Sequence, residues 1–380
     1  MSNTTFSKNE YERYSRHLIL PEFNLEGQKR LKRAKVLVVG AGGLGTPVLQ
    51  YLVAAGVGTI GIVDDDVVSI SNLQRQVLFG EKDLGRKKTE VIAEKLSDLN
   101  PHVKLKLFSE RITSKNARSM AEGFDLIVDG SDNFPTRYLL NDLAVILRIP
   151  YVYGAIYRFE GQVSVFNYLN RHGELGPNYR DLFPDPPPTD QVPSCAEGGV
   201  IGVLPGMIGT IQANEVIKII TGIGEVLSGR LFLLDALTFE NRTVAISKNV
   251  NQSEVKELID YENFCGWEDV KLIKNVKHLS VQELKKMMDE KEDYQLIDVR
   301  EPYEADIADL PSIKIPQKQI LDHINDIPKN KKVVFFCRSG KRSAEVVELL
   351  TEVKGMENIY NLNGGILEWA DKIDTSLARY

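Results

Sequence analysis

Short apolar runs alternate with amphipathic stretches along the first half of this chain. AKVLVVG (34–40) is a continuous apolar run and predicts a buried strand. LGTPVLQYLVAAGV (44–57) follows with helical spacing, and GTIGIVD (58–64) returns to strand character. The alternation continues through a predicted helix at 87–100, strands at 103–108 and 124–130, and a helix at 136–147. Strands separated by helix-length segments predict an α/β domain with a Rossmann-like, mostly parallel, doubly wound sheet. Ahead of it, residues 7–33 are charged and compatible with helix.

The texture changes at Pro177. PNYRDLFPDPPPTDQVP (177–193) holds six prolines and no periodicity, which predicts an irregular surface segment with the character of a flap. A Cys-bearing turn at Cys195 and a long apolar helix follow, and residues 227–246 have the alternation of a closing hairpin. Residues 248–275 are polar and of low regularity, and are assigned as a linker. Residues 276–380 then show a strand–helix alternation of their own, without repeating the first domain. The division is 1–247, a linker at 248–275, and a small α/β domain at 276–380. A chain of 380 residues is long for one compact core, which agrees with two domains.

Composition narrows the class of protein. The net charge of −6, with both signs interspersed, supports no nucleic-acid role. Three cysteines argue against a disulfide framework and for a reducing compartment with working thiols. The N-terminus lacks the apolar core of a signal peptide, and no apolar run reaches the roughly 18 residues of a membrane span. A cytoplasmic protein is expected, with no membrane partner.

The strand at 34–40 runs into Gly40-Ala41-Gly42-Gly43-Leu44-Gly45, a GxGxxG turn in the strand–turn–helix context that a nucleotide site requires. Glycines let the backbone approach a phosphate, and the helix N-terminus supplies N–H donors. Asp64 closes the next strand, 24 residues after Gly40, at a spacing suited to a ribose hydroxyl. Up to this point an NAD-dependent oxidoreductase remains open. The next polar residues, Asn72, Arg75, Gln76 and Lys88, with Arg16 upstream, include more cations than hydride transfer needs. Two anions brought together, a carboxylate and a polyphosphate, do need them. Each cation taken alone is an ordinary surface charge.

VVFFCRSGKRS (333–343) has the same logic in the second domain. An apolar strand delivers Cys337 to a small, basic loop that leads into a helix. The helix dipole, Lys341 and Arg342 would together favour a thiolate over a thiol. Four residues separate Cys337 from Arg342, a shorter cradle than that of the cysteine phosphatases. With LIDVREPYE (296–304) and NLNGGILEW (361–369), this loop resembles the active site of rhodanese-type sulfurtransferases over residues 276–380.

Residues 8–247 closely resemble the E1-like adenylation domains that activate ubiquitin-like proteins, in the MoeB/ThiF branch. The resemblance implies that Gly40, Gly42, Gly43 and Gly45 hold ATP, that Asp64 binds its ribose, and that Asn72, Arg75 and Lys88 contact its phosphates, with Gln76 beside them. It implies Mg²⁺ on Asp132 of DGSDN (129–133), a homodimer in which Arg16 enters the partner subunit's site, and a role for Cys195 of VPSCAEGGV as a covalent acceptor of the activated carrier. Many such relatives bind a structural zinc through two CxxC pairs. Here the first pair falls on Asn178 and Asp181, and only Cys265 lies near the second, so no structural zinc is expected. The implied substrate is a ubiquitin-like sulfur carrier with a Gly-Gly tail, MoaD- or ThiS-like. The implied sulfur donor is a cysteine desulfurase or thiosulfate, and the pathway is molybdopterin, thiamine or thiolated tRNA synthesis. An adenylyltransferase that uses its rhodanese domain only for docking or regulation is the alternative.

Overall fold

The computed structural model describes residues 5–187, 198–249, 255–266 and 276–380. The chain divides into two compact units, Met1–Trp267 and Glu268–Tyr380.

The first unit is built on one eight-stranded sheet. Its strands are β1 (Lys35–Val39), β2 (Thr59–Val63), β3 (Lys104–Phe108), β4 (Leu126–Asp129), β5 (Tyr151–Tyr157), β6 (Glu160–Phe166), β7 (Arg230–Asp235) and β8 (Asn241–Ala245). They lie in the order β3-β2-β1-β4-β5-β6-β7-β8, parallel from β3 to β5 and antiparallel from β5 to β8. In the central strands β1 and β4 every residue from Val36 to Val39 and from Leu126 to Asp129 is buried. A parallel strand covered by helices on both faces demands that burial, which is why 34–40 reads as an unbroken apolar run rather than an alternating one. Residues 151–166, to which the helix–strand alternation assigns nothing, form the β5–β6 hairpin and turn the parallel half into the antiparallel half.

Helix ends follow local chemistry. The helix Gly45–Ala55 stops at Gly56, whose φ of 85° lets the backbone reverse. The helix Phe134–Leu147 starts at Asn133, whose side chain accepts from the Thr136 N–H at 2.9 Å, with Pro135 in the first turn. None of the described helices is long and apolar enough to cross a membrane.

The segment assigned as a linker is not loose along its whole length. Tyr261 and Cys265 are buried among Tyr138, Tyr179 and Leu139 of the first unit. The Tyr261 hydroxyl donates to Asp142 at 2.8 Å, and Arg180 meets the same carboxylate through two nitrogens at 2.8 Å. Polar composition hides this anchor because its apolar contacts, Leu258, Tyr261, Phe264 and Cys265, are spread through an otherwise hydrophilic stretch. The proline-rich segment is also anchored at its start, where Asn178 and Asp181 form a capping box on the short helix Tyr179–Leu182.

The second unit is a five-stranded parallel sheet of β9 (His278–Leu279), β10 (Tyr294–Asp298), β11 (Ile313–Lys314), β12 (Lys332–Phe336) and β13 (Ile359–Leu362), in the order β11-β10-β12-β13-β9. β12 is central, its residues Val333 to Phe336 are buried, and Cys337 follows it directly.

The Tyr261 anchor has a measurable consequence. Tyr261→Ala removes a buried ring and leaves Asp142 short of a donor. Urea unfolding of the full chain should show the first unit destabilised by about 3–5 kcal/mol, with residues 255–266 newly open to protease.

Candidate functional site

The loops after β1 and β4 leave the sheet in opposite directions, because β1 leads to β2 on one side and β4 to β5 on the other. Open α/β sheets bind ligands in the crevice at such a switch point. A cavity of about 330 Å³ lies there. Its walls carry Gly40, Gly42 and Gly43 from the first turn, Asp64 from the end of β2, and Asn72, Arg75 and Gln76 from the following loop. Lys88 at the start of the helix Lys88–Leu99 and Asp132 after β4 complete it.

The glycines act through what they lack. Gly40 has φ +91°, and a Cβ there would meet the Gly130 carbonyl carbon at 2.5 Å. A Cβ on Gly42 would press on the Gln76 amide at 3.3 Å, and one on Gly43 would press on Pro205 at 3.0 Å. Gly45 is not on the wall. It opens the helix, where a Cβ would collide with the Gly40 carbonyl oxygen. Its part is to let helix and turn close on each other.

Charge is arranged around this turn. Asp64 accepts from the Ala41 N–H at 2.7 Å and the Asp66 N–H at 2.9 Å. Burial raises its carboxyl above the usual range, while nearby Lys88 pulls the other way. Lys88 is itself buried and donates to Asp66 at 2.7 Å, one of the three N–H bonds that its ammonium can make. Arg75 donates to the Ser71 carbonyl at 2.9 Å. Gln76 is buried with its Oε1 unpartnered. Glycine-lined backbone, two cations and an unsatisfied amide oxygen suit a nucleotide, whose phosphates need donors and whose base and sugar bring their own.

Sequence reasoning missed Arg137. It lines the cavity from the helix Phe134–Leu147, buried, with Nε unpartnered and with its guanidinium 5.4 Å from the Phe134 ring and 5.7 Å from that of Tyr153. It faces Asp129, which accepts from the Ser131 hydroxyl at 2.6 Å and the Tyr151 hydroxyl at 2.6 Å. Burial raises the Asp129 carboxyl, against the pull of Arg137. A charge inside an apolar helix pattern was the available signal. Ser131, Thr136, Arg111, Ile156 and Val200 also line the cavity, and nothing in their local sequence sets them apart.

One candidate stands elsewhere. Arg16 is exposed on the turn Ser15–Leu18 and is not part of this cavity within one chain. Cys195 lies outside the described residues. Cys265 is buried in the aromatic core, where desolvation pushes its thiol up to about 11. The capping box at Asn178 and Asp181 occupies the place of a first CxxC pair.

In the second unit Cys337 is 1% exposed, and its Sγ accepts from the Gly340 N–H at 3.1 Å. Gly340, with φ +92°, turns the loop into the helix Lys341–Lys354. Arg342 does not stand free as the loop sequence suggests. It forms a two-pronged pair with Glu304, both contacts 2.7 Å, which lowers the Glu304 carboxyl against its burial. Much of its charge is therefore neutralised beside the sulfur.

The chain matches the ThiF family over residues 14–255 and the rhodanese-like domain over residues 280–372. It is 45% identical to the probable adenylyltransferase/sulfurtransferase MoeZ of Mycobacterium tuberculosis, over 99% of this chain and 97% of that one. The sulfur carrier protein adenylyltransferase of Thermus thermophilus is 53% identical over 69% of this chain and 98% of its own length. The Xenopus laevis adenylyltransferase and sulfurtransferase MOCS3 is 40% identical over 97% of this chain and 88% of its own. Among solved structures, Escherichia coli MccB shares the fold with a TM-score of 0.57 at 22% identity, over 67% of this chain and 74% of that one. With more than half its length in one family and a second domain after it, the chain belongs to the ThiF family of adenylyltransferases, in the form that carries a rhodanese-like domain.

Proposed function

We propose that this enzyme uses ATP to adenylate the C-terminal glycine of a ubiquitin-like sulfur carrier, and that sulfur from a Cys337 persulfide then converts the activated tail into a thiocarboxylate. The observation that carries the reading is the gathering of Gly40, Asp64, Asn72, Arg75, Gln76, Lys88 and Asp132 on one cavity, in a chain that also sets Cys337 at the end of a central strand. A carboxylate is a poor acyl donor because its charge is delocalised. Transfer to AMP, with pyrophosphate leaving, creates a good leaving group for an incoming sulfur. Sequence similarity to enzymes named for both activities supports the pairing of the two chemistries.

The residues divide the work. The Gly40–Gly43 backbone cradles phosphate and Asp64 holds the ribose, while Arg75, Asn72 and Lys88 offset the charge that builds as carboxylate meets α-phosphate. Asp132 offers the hard oxygen ligand that Mg²⁺ takes alongside substrate phosphates, and the ion would neutralise the departing pyrophosphate. Arg16 comes from the partner subunit of a homodimer. Cys195 acts, if it bonds to the carrier at all, after adenylation. A reducing cytoplasm suits the free thiols. The carrier is MoaD- or ThiS-like with a Gly-Gly tail, and the donor is a cysteine desulfurase or thiosulfate.

Carrier-dependent ATP–pyrophosphate exchange separates the two chemistries. Asp132→Ala and Arg75→Ala should each slow exchange by about 10²–10³-fold, while Cys337→Ala leaves it unchanged. Near-normal exchange by Asp132→Ala would remove that residue from catalysis. If Arg16 acts in trans, mixing Arg16→Ala with Asp132→Ala subunits should restore exchange, since heterodimers contain one intact site; no rescue despite proven subunit exchange argues for action in cis. Elemental analysis of the purified chain should find no stoichiometric zinc, and a chelator should leave its melting temperature unchanged. The Asp142–Arg180–Tyr261 contacts already join the segments that zinc would join.

A further inference from the structure

A line of buried polar side chains leads away from the Cys337 sulfur. Ser343, on the first turn of the helix Lys341–Lys354, is fully buried, and its Oγ lies 3.5 Å from Sγ. The same Oγ lies 2.6 Å from Oδ1 of Asn361, buried on β13. Asn361 Nδ2 in turn lies 3.2 Å from Nδ1 of His278 on β9. Polar groups are costly in a core lined by Phe335, Val347 and Leu362, so their alignment on a nucleophile calls for an account.

A hydroxyl has one proton to give. A separation of 2.6 Å is ordinary for O–H···O and short for N–H···O, so Ser343 donates to Oδ1 and the Asn361 amide nitrogen faces His278. His278 then accepts at Nδ1 as a neutral ring. Burial agrees, since it holds His278 below the usual imidazole range. With its proton on Asn361, Ser343 is an acceptor toward a Cys337 thiol. Toward a sulfur anion it must swing that proton round.

We propose that Ser343 is a catalytic residue of sulfur discharge, and that Asn361 is a positioning residue that competes with the Cys337 sulfur for Ser343's single proton. The inference rests on the reading of Cys337 as the sulfur carrier. In loading, the thiolate attacks the outer sulfur of thiosulfate, that sulfur's bond to the sulfonate breaks, and sulfite leaves with the electron pair. In discharge, an acceptor such as cyanide bonds to the terminal sulfur of the persulfide. The S–S bond breaks, its electron pair stays on Sγ, and thiocyanate departs. Charge thus returns to Sγ in discharge, where the Ser343 hydroxyl turns to meet it. No proton is transferred, and Asn361 Oδ1 gives up its donor.

The test loads the full-length protein with thiosulfate and follows first-order discharge to cyanide as thiocyanate. Ser343→Ala should slow discharge by about 10–100-fold, less than the loss of an oxyanion donor because sulfur accepts weakly. Ser343→Thr, which keeps the hydroxyl, should stay within about three-fold of the parent. Asn361→Leu removes the competing acceptor at similar volume, and discharge should be equal or about two- to three-fold faster. Parallel slowing by Ser343→Ala and Asn361→Leu, both folded by thermal melt, would mean a merely structural pair and overturn the proposal. Should Asn361→Leu fail to fold, the contrast between Ser343→Ala and Ser343→Thr decides it. Full discharge by Ser343→Ala overturns the proposal alone, whereas full activity of Cys337→Ala overturns the sulfur-carrier reading beneath it.

Discussion

Three glycines in backbone contact hold open the cavity at the switch point of the first sheet. Gly40 after β1, Gly130 after β4 and Gly45 at the head of the following helix approach so closely that none has room for a Cβ; one on Gly130 would sit 2.5 Å from the Gly40 carbonyl oxygen. That contact draws the two diverging loops together at the switch point. It sets where the Gly42 and Gly43 backbone faces the cavity, and it keeps Asp132 opposite Asp64 and Lys88 on one set of walls. A side chain at any of the three would push the loops apart, and the residues that depend on their spacing would lose their common centre.

The second unit meets a related demand with the same materials. A central parallel strand ends, a glycine in the left-handed region turns the chain, and a helix begins. In the first unit this arrangement lines a cavity with glycine backbone and cations, the donors that the proposed phosphates need. In the second it presents a backbone N–H and a hydroxyl to sulfur, and its arginine is tied to Glu304. The difference follows from the charge to be held. A polyphosphate carries several negative charges, while a single polarisable sulfur anion needs few donors and gains from a dry surrounding.

Buried ionisable groups mark where the first unit departs from a plain apolar core. Asp129, Arg137, Tyr151 and Tyr153 form a buried polar island at the cavity, with Arg137 on its wall. Removing one partner from such a group strands a charge, so these residues constrain one another. The Asp142–Arg180–Tyr261 cluster does similar work at the edge, tying a helix, the start of the proline-rich segment and the end of the unit into one piece.

The sequence by itself determined the parallel half of the first sheet, the glycine turn, Asp64 and the Cys337 loop. These are local: an apolar run, a turn residue and a helix start occupy neighbouring positions, and their physics is written in a dozen residues. It also picked out Asn72, Arg75, Gln76, Lys88 and Asp132, which meet on one cavity. Only the tertiary structure decided the rest. The β5–β6 hairpin is long-range pairing that helix–strand alternation does not encode. Tyr261 and Cys265 became core because distant aromatic rings were there to receive them. Arg137 entered the cavity from a helix whose pattern reads as ordinary packing, and Arg342 lost its free charge to Glu304, 38 positions away. Partners far apart in sequence set the surroundings of a side chain, and those surroundings decide whether a charge is free, paired or buried.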